Sequence, residues 1–181
     1  MDALRALTPQ SLALALPDEN VRFAALTSLA TWRVIRDQVA GLERWIGSHV
    51  DRSLLKALRS APGIGPVLGA TIVLETGPIA RFQHVGNYAS YCRLVSSERI
   101  SNGKRKGQGN RKNGNRYLAW AFIEAANFAL RHYQVVRDWY DRKRRSSHRL
   151  VALKAVAHKI ARGCYFAQRD HVEFDIARAF G

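Results

Sequence analysis

The chain has 181 residues, of which 47% are hydrophobic, so it can build one domain with a packed core, with or without a helical extension. Its 29 lysines and arginines outnumber its 14 aspartates and glutamates, and the formal net charge of +15 indicates a polyanionic partner, above all nucleic acid. No apolar run reaches the roughly 20 residues of a membrane-spanning helix, and the segment from Met1 to Pro17 lacks the pattern of a signal peptide. We therefore expect a cytoplasmic protein with no membrane partner.

The metal-binding residue types do not cluster in the sequence. Cys92 and Cys164 lie far apart, outside any CxxC or Cys/His spacing, and the six histidines are scattered. The acidic residues are spread thinly among basic ones, whereas nucleases gather several carboxylates around Mg²⁺. The sequence therefore predicts no metal ligands and no cofactor in this chain, and the two cysteines are expected to be small buried hydrophobic residues.

The N-terminal third is predicted to be a loose entry segment of about twenty residues followed by one long helix over residues 23–61. Apolar residues recur there at steps of three and four, in the stripe Trp32, Ile35, Val39, Leu42, Ile46 and Val50. Two interpretations remain open: a helix packed on its own domain, or the arm of a coiled-coil dimer. We accordingly divide the chain into an N-terminal segment with a coiled-coil-like helix, residues 1–53, and a helical domain, residues 54–181.

The helical domain begins with a glycine turn. Residues 62–66 read Pro-Gly-Ile-Gly-Pro and separate the first helix from an apolar stretch at 67–74, an arrangement typical of a helix-hairpin-helix. Gly63 and Gly65 would let the backbone approach a phosphate, the following helix would point its N–H groups at the anion, and Ile64 would plug the turn into the core. The alternative is a helix–helix corner stiffened by prolines.

Short and long helices are predicted over residues 85–94, 117–133 and 150–169, and no alternating strand pattern is evident, so the fold class is mainly α. Between the first two of these helices, residues 96–115 hold almost no large apolar side chain and are predicted to form a glycine-rich surface loop. Its cations have no acidic partner beyond Glu98, and nucleic-acid contact is favoured over a merely solvated loop. The candidate binding residues are Arg99, Lys104, Arg105, Lys106, Arg111, Lys112, Asn115 and Arg116.

Ser101 stands at the head of this loop. A serine hydroxyl can attack a phosphodiester that cations hold in place, but no His/Asp pair is evident to activate it. From the residues alone, Ser101 is better explained as an ordinary turn serine. Four other serines of the basic segments are equal candidates for a nucleophile, namely Ser96, Ser97, Ser146 and Ser147.

A series of motifs in fixed order extends from the glycine turn to the helix after the loop. The turn at 62–66 is followed by Glu75, Arg81-Phe82, Tyr-Ala-Ser-Tyr-Cys-Arg-Leu-Val at 88–95, Ser101-Asn102-Gly103, Gly-Asn-Arg-Tyr-Leu-Ala at 114–119 and Glu-Ala-Ala at 124–126. Together they resemble the C-terminal transposase domain of the insertion sequence 110 family (IS116/IS110/IS902-type transposases), over roughly residues 54–134 and more weakly through the final helix.

The resemblance implies a DNA recombinase of mobile elements that a structured RNA guides. It also implies a serine that becomes joined to a DNA 5′ phosphate, by position Ser101 here. We expect Lys104, Arg105 and Arg111 to stabilise the charge on that phosphate. It further implies a homodimer or larger oligomer, in a bacterial cytoplasm and associated with the nucleoid.

This sequence departs from the family in two ways. It has Ser101-Asn102-Gly103 where the family usually has Ser-Gly, and the N-terminal RNase H-like domain, which brings four acidic residues and Mg²⁺, is absent. The helix over 23–61 would then correspond to the coiled-coil linker, and serine-type strand transfer would need Mg²⁺ on an acidic domain outside this chain. The alternative function is a catalytically inactive nucleic-acid-binding or dimerisation module left from a truncated transposase.

Overall fold

The computed structural model of the protein describes residues 4, 6–95, 98–108 and 113–181, and for residues 98–101 and 105–108 it describes the backbone alone. The described part is mainly α-helical, as predicted, but it also contains one two-stranded hairpin. Among the helices of these described ranges, none combines the length and the apolar character needed to cross a membrane. The chain divides into two compact units, Met1–His49 and Val50–Gly181.

The first unit contains two helices, α1 (Pro9–Ala15) and α2 (Glu19–His49). The expectation of a loose entry segment was wrong for α1, because Thr8 and Ser11 form a reciprocal capping box and Pro9 occupies the first turn. Along the 31 residues of α2 only Leu29 is buried. The large apolar residues of this helix therefore lie mostly exposed, including Ile35, Val39 and Leu42 of the predicted stripe.

The single helix predicted over residues 23–61 was also wrong, because it is two helices. Helix α2 ends at His49, and α3 (Arg52–Arg59) starts anew with Asp51 as its N-cap. The Asp51 carboxylate accepts hydrogen bonds from the backbone amides of Ser53 at 2.8 Å and Leu54 at 3.2 Å. The Ser53 hydroxyl and these amides lower the pKa of Asp51. Asp51 is a helix-start signal that the continuous apolar spacing concealed.

The second unit is built around one long helix. After α3 follow α4 (Pro66–Thr76), a 3₁₀ turn (Ile79–Arg81), α5 (Val85–Tyr91), strands β1 (Glu98–Ser101) and β2 (Lys104–Gln108), α6 (Arg116–His132), α7 (Gln134–Arg144), α8 (Arg149–Asp170) and α9 (Ile176–Phe180). Helix α8 packs against α3, α5, α6, α7 and α9, while α4 packs against α3 and α6.

The core of this unit follows the periodicity of α6 and α8. On α8, Val156, Ile160 and Cys164 recur every fourth residue and are fully buried, as their spacing predicts. The two cysteines are buried thiols, and burial raises the pKa of Cys92 to about 12 and also raises that of Cys164. The few polar groups in the core are paired, as where the Tyr165 hydroxyl donates to the backbone oxygen of Phe82 at 3.0 Å.

Two helices of this unit were not predicted. Helix α7 carries a basic C-terminal end, yet Val136 in its first turn is fully buried. Helix α9 is only five residues long, starts with Asp175 as its N-cap and buries Phe180 completely. Each of these helices has too few apolar residues for a helical period to be recognised in the sequence. Their stability depends on tertiary packing.

Candidate nucleic-acid interface

The turn between α3 and α4 packs directly on α6. Gly63 has a φ of +80°, and a Cβ added to it would collide with the carbonyl oxygen of Ala125 and lie 2.8 Å from the amide nitrogen of Ala129. A residue with a side chain would therefore push the turn away from α6. Ile64 is only 5% exposed and belongs to the core. The absence of a side chain at Gly63 is explained by packing, without any ligand.

Gly65 differs from Gly63, although both belong to the same motif. It is the N-cap residue of α4, no side chain caps this helix, and nothing lies within 4 Å of where its Cβ would be. The first amides of a helix have no intrahelical partner, and the Pro66 ring removes one of them. The backbone between Gly65 and Leu68 is therefore the part of the turn that an anion can approach.

A groove of about 440 Å³ opens beside this turn. It lies between the start of α4 and the end of α6, and its lining residues are Gly63, Ile64, Gly65, Pro66, Val67, Leu68, Phe128, His132 and Tyr133. Neither lysine nor arginine is among these residues, and the large side chains of Val67, Phe128 and Tyr133 are partly exposed. The groove offers apolar and aromatic surface next to the open amides of α4.

The basic segment predicted to be a loop without strands contains an antiparallel hairpin, which we call the hairpin arm, residues 98–108. Strand β1 pairs with β2, and the register opposes Ser101 to Lys104. Asn102 and Gly103 connect the strands, with φ values of 51° and 69°. Two consecutive positive φ values are typical of the type I′ turn, for which Asn-Gly is the favoured dipeptide. The prediction missed this signal because the flanking residues lack apolar alternation.

This register places Ser101 at the end of β1, immediately before the turn. Lys104, at the start of β2, is exposed, and the residues of the turn between them are exposed as well. The candidate residues Arg99, Arg105 and Lys106 lie in the two strands, but their side chains fall outside what the structure describes, as does that of Ser101. Arg111 and Lys112 lie outside the described residues altogether.

The chain segments before and after the hairpin arm are bonded to each other on the helical unit, at a place that we call the root of the arm: Tyr91, Arg93, Gly114 and Asn115. The backbone amide of Asn115 donates to the carbonyl oxygen of Tyr91 at 2.7 Å, and the Arg93 guanidinium donates to the carbonyl oxygen of Gly114 at 2.8 and 3.1 Å. A Cβ on Gly114 would collide with the Tyr91 carbonyl oxygen. Gly114, whose φ is +89°, therefore permits the close contact that closes the root of the arm.

The side chain of Asn115 connects two helices at this root. Its oxygen caps α6 by accepting from the amides of Tyr117 at 2.8 Å and Leu118 at 3.0 Å, and its nitrogen donates to Glu75 at 2.6 Å. The Asn115 amide was predicted to bind nucleic acid. In the structure, its oxygen and nitrogen are engaged in holding α4 and α6 together.

Arginine and tyrosine side chains stack near the same root. The Arg81 guanidinium lies 4.5 Å from the ring centroid of Tyr91, and Asn115 and Arg81 lower the pKa of the Tyr91 phenol. Arg116, which is exposed, donates to the Tyr117 hydroxyl at 2.7 Å and stacks on its ring. The sequence did not predict three residues at or beside this root as site residues, namely Arg81, Tyr91 and Arg93. Their contacts form only because the fold brings residues 81–93 beside residue 115.

The described residues do not form a magnesium site. Within the described ranges, no group of three or more histidine, cysteine, aspartate or glutamate residues could hold a metal ion. Glu75 is bonded to Asn115, and Asp51 and Asp175 cap helices. No catalytic step through Mg²⁺ can therefore be assigned to these residues.

Comparison with known proteins shows what this segment of the sequence resembles. The sequence profile described as transposase, IS116/IS110/IS902 family, matches residues 55–141, a segment that includes the turn, the groove, the hairpin arm and α6. The insertion element IS116 uncharacterized 44.8 kDa protein of Streptomyces clavuligerus is 38% identical over 88 residues, which are 48% of this chain and 22% of the relative. The chain thus matches less than a quarter of that relative. Residues 55–141 are thus similar to the transposases of the IS116/IS110/IS902 family.

Proposed function

We propose that the chain is the serine-bearing, nucleic-acid-binding part of a transposase, with Ser101 as the nucleophile of strand exchange. The Ser101 oxygen would attack a DNA phosphorus and form a phosphoserine bond to the 5′ phosphate. The bond from phosphorus to the 3′ oxygen would break, and the proton lost by serine would end on that leaving oxygen. The observation that carries this proposal is the position of Ser101 beside the exposed turn of the hairpin arm, within the matched transposase segment.

The hairpin register supports Lys104 as the cation that assists this step. Directly opposed residues of an antiparallel pair are nearest neighbours across the ladder, and the backbone opposes Lys104 to Ser101. An ammonium group there would favour the serine alkoxide and offset the charge that develops on the phosphate. Arg105, which is paired with Ile100, and Arg111 are secondary candidates for the same task.

The helix-hairpin-helix would grip the backbone of DNA or of a guide RNA. The open space around Gly65 supports a phosphate contact at the first amides of α4, whereas Gly63 packs against α6. The exposed Arg116 and the cations of the hairpin arm would add to this grip. If phosphates dominate binding, affinity for duplex DNA should fall steeply between about 50 and 200 mM salt and change little with base sequence. Gly65→Ala should weaken duplex binding without unfolding the protein.

We propose that Mg²⁺ is held by an acidic domain outside these 181 residues and that the complex is oligomeric. The exposed apolar stripe of α2 supports a coiled-coil arm, because residues such as Ile35, Val39 and Leu42 repeat at steps of three and four without a partner in the described chain. Light scattering on the full chain tests this. A measured mass equal to that of one chain would contradict the proposal that α2 is a dimerisation element.

The decisive experiment combines the chain with the acidic domain of a full-length family member, the RNA of that element, Mg²⁺ and labelled DNA. A covalent protein–DNA adduct that survives denaturing electrophoresis is expected, and Ser101→Ala should abolish it. Ser146→Ala, at an exposed serine in the basic turn before α8, is the matched control and should leave the adduct intact. An adduct that persists in Ser101→Ala would refute the assignment.

The alternative, a binding module without catalysis, has its own signature in this assay. The wild-type chain would then bind DNA with the same salt dependence but give no adduct with any acidic domain. It would also inhibit a full-length transposase by competing for its DNA, which the proposed enzyme half would not do when it is complemented.

A further inference from the structure

The exposed face of α6 carries a row of aromatic side chains, which we call the aromatic stripe: Tyr117, Trp120 and Phe128. They are 48%, 50% and 43% exposed, and at 3.6 residues per turn they share one face of the helix. From Tyr117 to Phe128 the stripe is about 16 Å long at 1.5 Å per residue. It begins at the root of the hairpin arm and ends at the groove that Phe128 lines with His132 and Tyr133.

Charged residues flank the stripe in a specific pattern. The Arg116 guanidinium lies 4.8 Å from the Tyr117 ring centroid, and the Arg131 guanidinium lies 5.8 Å from that of Phe128. Glu124, which is half-buried, falls between Trp120 and Phe128 on the same face. Phosphates can thus be held at both ends of the stripe, whereas a carboxylate disfavours them in the middle.

We infer that the aromatic stripe and the adjoining groove bind a stretch of unpaired nucleotides, with the bases stacked on the rings. Every base has a π-face, so a row of aromatic side chains between cations binds single strands irrespective of sequence. A length of about 16 Å suits about five stacked nucleotides at 3.4 Å each. The carboxylate of Glu124 faces bases in this arrangement and can accept hydrogen bonds from their amino groups.

A protein partner fits the same surface less well. Three aromatic side chains that would bury about 150–250 Å² each when fully covered, and that are already half covered, offer roughly 300 Å² together. Stable protein interfaces bury about 800 Å² on each partner. The arginines stacked at both ends also match a polyanion rather than a second copy of this strongly basic chain. The inference deepens the proposed nucleic-acid binding and rests on it.

The test compares the affinity of the full chain for a short labelled oligothymidylate, an oligouridylate of equal length and a DNA duplex. Trp120→Leu keeps an apolar side chain but removes the ring, and should weaken both single strands about 5- to 150-fold while leaving the duplex unchanged. Trp120→Phe should restore most of the loss. The matched control is Trp45→Leu on α2, where tryptophan is also exposed, and it should change no affinity.

A second readout is direct. Stacking of a base on Trp120 should quench part of the intrinsic fluorescence of the wild-type chain, and this quenching should be absent in Trp120→Phe. Equal affinity for the two oligonucleotides would show that the stripe contacts the bases and not the sugars. A preference for oligouridylate would identify RNA as the strand that the stripe binds.

Three results would overturn the inference: single-strand affinity that Trp120→Leu leaves unchanged, equal losses for single strand and duplex, or a lower mass of Trp120→Leu in light scattering, which would identify a protein interface. These outcomes are separable from the proposed function. If the wild-type chain fails to bind the duplex, the proposed function is contradicted together with the inference that rests on it. If the wild-type chain binds the duplex normally and Trp120→Leu leaves the single-strand affinity unchanged, only the inference about the aromatic stripe is contradicted.

Discussion

The two glycines of the Pro-Gly-Ile-Gly-Pro turn should respond oppositely to the same substitution. In Gly63→Ala, a methyl group must be placed at a φ of +80° and against the backbone of Ala125 and Ala129 on α6. In Gly65→Ala, the methyl group enters open space on a backbone with a φ of −89° and a ψ of −176°, which any residue adopts. Comparing the two variants therefore tests whether glycine is needed at position 63 for steric reasons or only because it belongs to the motif.

The magnitude for Gly63→Ala has two parts. The left-handed conformation costs a residue with a side chain about 1–3 kcal/mol. Moving the turn away from α6, or α6 away from the turn, adds about 1–3 kcal/mol of overpacking. A total of about 2–6 kcal/mol, at roughly 2–4 °C per kcal/mol for a chain of this size, lowers Tm by about 4–24 °C.

Gly65→Ala should change Tm by less than about 3 °C, since the poorer N-cap of α4 is offset by the smaller entropy of the unfolded chain. Thermal unfolding followed by far-UV circular dichroism measures both variants, and urea unfolding at one temperature gives the two free energies. Equal losses in the two variants, or a Gly63→Ala protein as stable as the wild type, would refute the reasoning that Gly63 is held by packing against α6.

Other features of the fold give further predictions. Asn115→Ala should cost about 1–2 kcal/mol because α6 loses its cap, and Asn115→Asp should recover only part of that in thermal unfolding, because its carboxylate faces Glu75. Burial and the neighbouring cations of α8 lower the pKa of His158, so protonation favours the unfolded chain. The free energy of unfolding should therefore fall as the pH drops below about 6.5, and an equally steep fall in His158→Gln would contradict this. Cys92 and Cys164, both buried with raised pKa values, should resist a thiol reagent in the native protein and react after urea unfolding; prompt native labelling would show that they are accessible.

The helices of the second unit were predictable where the apolar period was long. On α8, Val156, Ile160 and Cys164 mark a buried face by spacing alone. Short elements such as α9 were missed because five residues carry too little period, and the break after α2 was missed because the stripe continues to Val50 beyond the helix end. In both cases a capping aspartate was the better local signal.

The candidate site was also predictable only in part. The turn at 62–66 and the basic character of the segment around Ser101 are visible in the sequence. Predicting the hairpin would have required giving weight to the dipeptide Asn102-Gly103, although the flanking strands lack apolar alternation. The root could not be predicted. The bond from Asn115 to Glu75 joins residues 40 positions apart, and the steric need for glycine at position 63 exists only once α6 lies against it.

The root of the hairpin arm has a consequence for how this domain can change over time. The chain leaves the helical unit just after Arg93 and returns at Gly114, and these two points are bridged by hydrogen bonds of 2.7–3.1 Å. Because exit and return coincide, the segment between them can be lengthened, shortened or replaced while the core helices keep their contacts. The helical scaffold and the hairpin arm can therefore be selected independently of each other.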